Sequence, residues 1–410
     1  MTQATTATGT ARVRLLRHTP FLFFVSARTL SRFSSQIATV AVGWQIYHLT
    51  GSALYLGLAG LVQFLPTLVL VFVAGHVADR YDRRRVLQCC QTVSLAVATL
   101  LALGTIQGWL TPAMIYAALA LIGAANAFEH PTSAALLPAA APEGHLQQAM
   151  ALATAGNQLA TIAGPALGGF AYALSPGAPY LIMAAFWGIA IFLTGAIVLE
   201  RLAANREKPT LSSLFEGVRF VRSHPAVLGT ISLDLFAVLL GGATALLPIY
   251  ARDILETGPW GLGLLRAAPA VGALLMTFVL ARYTIRHRVG LRMFQAVIVF
   301  GIGTVVFALS QSIWISLIAL AVMGAADTVS VVIRFSFVQL STPDHMRGRV
   351  GAVNYLFINA SNQLGEFESG VTAALFGVVP AAVIGGVGTI AIALLWMKLF
   401  PSLRKVERLE

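Results

Sequence analysis

The sequence predicts an all-α membrane protein: twelve transmembrane helices in two six-helix bundles, with both termini in the cytoplasm. Three observations carry this. Of the 410 residues, 57% are apolar and only 10% are Asp, Glu, Lys or Arg, against about 25% charged in an ordinary soluble protein. The apolar residues fall into runs of the length a bilayer demands, roughly 20 residues each. The basic residues sit almost wholly in alternate connections. Arg80, Arg83, Arg84 and Arg85 follow the second run, Arg282, Arg286, Arg288 and Arg292 the eighth, and Arg347 and Arg349 the tenth, whereas the opposite connections hold only Arg252. Basic loops stay inside, so both ends are cytoplasmic and the number of spans is even. The formal charge of +11 thus records topology. A nucleic-acid footprint would be a basic face on a soluble fold.

The elements follow in order. Residues 1–19 are a polar cytoplasmic tail carrying Arg12, Arg14 and Arg17. The first bundle, 20–199, holds apolar runs near 20–47, 52–78, 86–106, 112–137, 146–173 and 178–199. Residues 200–225 are the longest polar segment and divide the chain. Their second part, LSSLFEGVRFVRSHP, places Leu211, Leu214, Phe215, Val218 and Val221 on one helical face, which reads as a short helix on the cytoplasmic surface; a plain linker is the alternative. The second bundle, 226–400, holds runs near 226–250, 260–281, 291–309, 312–337, 350–377 and 379–400, and 401–410 is a cytoplasmic tail. Gly and Pro interrupt many runs, which membrane helices tolerate. Strands are excluded because no ten-residue alternating segments recur. Cys89 and Cys90 are adjacent and act as small apolar fillers.

The halves repeat at an offset near 201 residues. IGAAN (Ile122 to Asn126) matches MGAAD (Met323 to Asp327), Pro142-Glu143 matches Pro343-Asp344, and Gly164 to Gly169 matches Gly365 to Gly370. Two halves with an even number of spans each share one orientation. That is a parallel repeat, as in carriers with a substrate site between the halves.

Ionisable residues inside the runs cost about 3 kcal/mol each on insertion scales. They are Arg28, Arg32, Glu129, Asp234, Arg266, Asp327, Arg334, Glu366 and Glu368, with His130 beside them. They are expected to face a polar cavity or one another. Matching depths predict Arg28–Glu129 and Asp234–Arg334 pairs, as fixed locks or as coupling elements. Asp327, with no partner at its depth, is the favoured proton-binding carboxylate. Glu366 and Glu368 point nearly opposite ways on a helix, so one reaches the cavity and the other meets Arg266. Trp44, Phe128, Phe236, Tyr355 and Phe357, interleaved with Asn126, Asn157, Asn354 and Asn359, suit an amphipathic organic ligand better than a bare ion.

The loop GHVADRYDRRRV resembles the signature of the major facilitator superfamily at Gly75, Asp79, Arg80, Arg83 and Arg84; Asp82 stands where that family usually has Gly. GPALGG, with Gly164, Pro165, Gly168 and Gly169, resembles its exporter motif, although Ala151 and Ala160 replace the upstream glycines. Leu119 occupies the place where many drug–proton antiporters carry arginine. TPDHMRGRV and ADRYDRR look most like the third drug:proton antiporter family, which includes siderophore and macrolide exporters. The resemblance implies alternating access, efflux of amphipathic compounds driven by proton entry, and a cavity on spans 1, 2, 4, 5, 7, 8, 10 and 11. It also implies an inner gate at the Gly75–Arg84 loop and close packing at GPALGG. A bacterial inner-membrane carrier follows, monomeric, with protons, lipid and a small amphipathic substrate as its partners and no nucleic acid. No Gly-rich phosphate loop with Lys, His-Glu-x-x-His or Ser-His-Asp spacing occurs, so the chain is not expected to be an enzyme or to hold a metal or cofactor. Two other readings fit the same residues: a lipid or nutrient carrier without tight proton coupling, and a non-transporting receptor or assembly subunit.

Overall fold

A computed structural model describes residues 15, 17–198, 211–283, 287–343 and 346–407; the side chains of residues 71, 72, 76, 78, 79, 211–215, 217, 352 and 355 are outside that description. The ordered elements are α1 (Thr19–Thr50), α2 (Ala53–Arg80), α3 (Arg83–Gln107), α4 (Pro112–Ala140), α5 (Leu146–Leu174), α6 (Ala178–Gly195), α7 (Leu211–Ser223), α8 (Pro225–Leu240), α9 (Gly258–Arg282), α10 (Val289–Leu309), α11 (Ile313–Leu340), α12 (Arg347–Phe376) and α13 (Val378–Leu399). No strand occurs among the described residues. Nine helices there are long and apolar enough to cross a membrane. Three other long helices, α1, α5 and α12, fall outside that set. They are the ones that carry Arg28 and Arg32, Asn157, and Asn359, Asn362 and Glu366.

Local chemistry sets several boundaries. Asp82, with φ −60°, caps the N-terminus of α3, and its carboxylate accepts from Arg84 N at 2.9 Å. That conformation needs no glycine. Gly108 closes α3 at φ 76°, in the left-handed region that glycine adopts without strain. The run near 226–250 is not one continuous helix. α8 stops at Leu240, and a 3₁₀ turn (Ala243–Leu246), a helical turn (Leu247–Ile249) and a π turn (Tyr250–Ile254) follow. Gly241 and Gly242 allow the break. A Cβ on Gly242 would strike the backbone of Gly365, and Pro248 lacks a donor for a regular helix.

The chain forms two compact units, Met1–Gln45 with Val62–Lys208, and Ile46–Leu61 with Pro209–Glu410. In the first, α5 seats against α1 at glycines: a Cβ on Gly164 would lie 2.6 Å from Gln36 Cβ, and one on Gly168 3.1 Å from Ile37 Cα. Gly123 of α4 meets the Gln63 backbone of α2, and Thr67 Oγ1 donates to Gly123 O at 2.9 Å. In the second unit, Gly324 of α11 meets the Pro269 backbone of α9, and Gly272 meets Ala321. Gly123 and Gly324 are equivalent in the repeat, and each is where two helices cross at backbone contact. The segment 46–61 packs on α12, where a Cβ on Gly370 would lie 2.7 Å from Gly57 Cα. Tyr47 donates a hydrogen bond to Asp253, and Arg252 stacks over the Tyr47 ring at 5.4 Å.

Candidate functional site

An ionisable side chain in an apolar helix belongs to a site only if it faces away from lipid. Faces follow from about 100° of turn per residue. On α11 the exposed apolar residues Trp314, Ile318, Val322 and Val332 share one side. Asp327 lies on roughly the opposite side, between buried Gly324 and Ser330, yet it is exposed. This exposed carboxylate thus lies on the side of α11 away from its exposed apolar residues. Arg334, two turns on, is 2% exposed and ion-pairs with Asp234 of α8. Its Nε finds no acceptor. The structure thus brings Asp234 and Arg334 together as a closed link between α8 and α11.

In the first unit α1 exposes no large apolar side chain before Leu49. Its partly exposed polar residues Arg28, Arg32, Gln36 and Thr39 fall within an arc of about 80°. On α4, Asn126, His130 and Ser133 lie on the side away from exposed Met114 and Leu121, with Glu129 on the flank. Glu129 accepts a hydrogen bond from Ser31 and is within electrostatic reach of Arg32 and Arg28; His130 feels both arginines. The expected Arg28–Glu129 pair is therefore an electrostatic neighbourhood, not an ion-pair contact. Gln36, Thr39 and Ser133 were missed. Gln36 continues the four-residue spacing of Arg28 and Arg32, a signal visible in the sequence.

Arg266 of α9 lies across the helix from exposed Val271, Leu275 and Phe278. Its nearest charge is Glu366, and its buried Nε has no hydrogen-bond partner. α12 is unbroken through Gly365 and Gly370, so its two carboxylates separate. Glu366 shares a side with Asn359 and Asn362. Glu368 falls on the side of exposed Phe357, Leu364 and Leu375, where Thr372 Oγ1 donates to its Oε1 at 2.7 Å.

The amides and the aromatics are distributed differently. Asn126, Asn157 and Asn359 occupy inward sides, while Asn354 is buried in the core. Trp44 packs on Tyr172 with centroids 6.4 Å apart, and Phe236 on Trp396 at 5.3 Å. Phe128 and Phe357 share the apolar sides of their helices. The Tyr355 side chain lies outside the described residues. So does that of Asp79 in the expected gate. Of the other gate residues, Arg80 is exposed and Gly75 has open space at its Cβ position. Arg83 donates to Ala135 O at 3.1 Å and Arg84 to Ile197 O at 2.5 Å. Both arginines therefore sit on carbonyls at helix C-termini of the first unit, which suits the helix dipole. Partial burial alone would raise the Asp82 pKa, but hydrogen bonds from the Arg84 side chain and backbone outweigh it and hold the carboxyl below its usual value. The packing motif is buried throughout, at Gly164, Pro165, Gly168 and Gly169. Among the described residues no group of His, Cys, Asp or Glu is placed to hold a metal.

Polar inward sides on helices that are apolar outside define a multi-pass membrane carrier. The family model of the Major Facilitator Superfamily matches residues 24–366, and the chain belongs to that superfamily. It is a membrane transporter and not an enzyme. It is 28% identical over 368 residues to the multidrug efflux pump Tap of Mycolicibacterium fortuitum, covering 86% of this chain and 88% of that protein. It is 26% identical over 402 residues to the enterobactin exporter EntS of Salmonella typhi, covering 96% and 95%. Among solved structures, the nucleoside transporter NupG aligns with a TM-score of 0.68 at 16% identity, over 93% of this chain and 99% of that one. A POT family transporter in complex with 5-aminolevulinic acid aligns at 0.71 and 12%, over 93% and 96%. At such identities these two likenesses speak for the fold alone.

Proposed function

We propose that this protein is a proton-coupled exporter of amphipathic organic compounds that works by alternating access in a bacterial inner membrane. In this reading twelve helices span the bilayer, with both termini cytoplasmic. Residues 20–199 and 226–400 are the two bundles, joined by the 200–225 linker, and the 1–19 and 401–410 tails lie inside. The first unit supplies Arg28, Arg32, Asn126, Glu129 and Asn157 to the substrate path, and the second supplies Asp327, Asn359 and Glu366. Efflux as the direction rests on the names of Tap and EntS. The 46–61 tip on α12, held by Gly57–Gly370 and Tyr47–Asp253, supports a contact that must open once per cycle. The inner gate proposed at Gly75, Asp79, Arg80, Arg83 and Arg84 rests on the likeness of that loop to the superfamily signature.

The observation that carries the reading is Asp327, a carboxylate open on the side of α11 opposite its lipid-facing residues. An intramembrane acid reachable from water is the minimum a proton-driven carrier needs. The test is accumulation of dansylamide, a neutral amphipath, in inverted membrane vesicles. Accumulation should stop when a protonophore collapses the gradient, and Asp327→Asn should behave like the uncoupled protein. An unchanged rate without a gradient would contradict proton coupling.

A further inference from the structure

We infer that the first unit contains an anion-binding site centred on Arg28, and that among amphipathic compounds the transporter prefers those carrying a negatively charged group. The inference rests on the transporter reading above and specifies its substrate class.

Arg28 lies nine residues into α1 from Thr19, about 13 Å along the helix axis. Its side chain is partly exposed and, among the described residues, makes no hydrogen bond or ion pair; the one carboxylate within its electrostatic reach there is Glu129, at a distance. Glu129 is already engaged. It takes a hydrogen bond from Ser31 and lies within electrostatic reach of Arg32 as well as Arg28. One carboxylate thus serves two guanidiniums, and the partly exposed Arg28 is left without a contact partner among the described residues. His130 cannot supply the missing charge, because it is neutral or positive.

The surroundings favour a ligand over a structural counter-ion. Arg28 lies on the polar arc with Arg32, Gln36 and Thr39, and the polar side of α4 carries Asn126 and Ser133 beside His130, which lies within electrostatic reach of Arg28. These supply donors around an anion, and a planar guanidinium with free N–H groups binds a carboxylate or similar oxyanion through two parallel hydrogen bonds. A guanidinium at this depth that bound nothing would be a standing cost of about 3 kcal/mol. Among its described residues the second unit offers no comparable cation within a helix. Arg334 is closed by Asp234, and Arg266 faces Glu366.

The test uses three probes with one fluorophore: dansylglycine (anionic), dansylamide (neutral) and dansylcadaverine (cationic). Binding is measured on the full chain in nanodiscs, with empty nanodiscs subtracted. The wild-type protein should bind dansylglycine at least about tenfold more tightly than dansylcadaverine. Arg28→Gln should weaken dansylglycine by about tenfold and leave dansylamide within about twofold. Glu129→Gln, which removes the competing carboxylate, should tighten dansylglycine. Opposite shifts from neighbouring substitutions are not what a purely structural pair would give. The inference is overturned if the three probes bind alike, or if Arg28→Gln weakens all three equally. It is also overturned if Glu129→Gln weakens dansylglycine while leaving dansylamide unchanged. Loss of gradient-driven dansylamide accumulation with the charge preference intact would remove proton coupling and leave this site standing.

Discussion

Replacing Asp234 with leucine should be among the most damaging single changes in the second unit. The side chains of Arg334 and Asp234 are 3% and 10% exposed, and Arg334 Nε has no other acceptor. Asp234→Leu leaves a buried guanidinium that cannot give up its proton. Breaking such a pair costs about 3–5 kcal/mol, or roughly 10–15 °C in apparent Tm for a unit of this size. Arg334→Leu leaves a carboxyl instead, which can take up a proton, so its deficit should shrink as the buffer is acidified while that of Asp234→Leu should not. The double variant Asp234→Leu/Arg334→Leu replaces charge with apolar packing and should recover most of the loss. The assay is thermal unfolding of purified protein in detergent across a pH series. If Asp234→Leu unfolds within about 2 °C of wild type, or the double variant is no better than that single one, the link is not what joins α8 to α11.

Other outcomes follow from the same geometry. Gly370→Val should leave membrane insertion normal but displace the 46–61 tip from Gly57, seen as a gain in thiol labelling of a Tyr55→Cys reporter. Asp82→Ala should cost about 1 kcal/mol as a lost cap. Because the folded carboxyl titrates below its usual value, that contribution is present above the unfolded pKa and fades as pH falls through the folded one, so wild type and variant should converge in acid unfolding. Glu368→Gln should leave the pH profile of transport unchanged, whereas Glu366→Gln should alter it.

The helical membrane fold was legible because the bilayer imposes simple arithmetic on run length. The break after Leu240 was not, since membrane helices tolerate glycine and the Gly365 backbone that Gly242 meets is far away in sequence. The chemistry was legible by type but not by face. Residue identities flagged Glu366 and Glu368 equally, and only the unbroken α12 shows them on different sides. Phe128 and Phe357 were grouped with the asparagines by proximity along the chain, while helical turn puts them with lipid-facing leucines. Gln36 was readable from its spacing to Arg32 but carries no charge to draw attention. Asp82 departs from the family's glycine without penalty because its φ is ordinary and its carboxylate caps α3.

The account depends on polar residues facing water and apolar ones facing lipid along the same helices. In a background with Cys89 and Cys90 replaced by serine, single cysteines at Asn126, Asp327 and Asn359 are compared with cysteines at Leu121, Val322 and Leu364 for labelling by a charged, membrane-impermeant thiol reagent. The first three should label readily and the last three should not. Equal labelling of the two sets, or labelling only of the second, would contradict it.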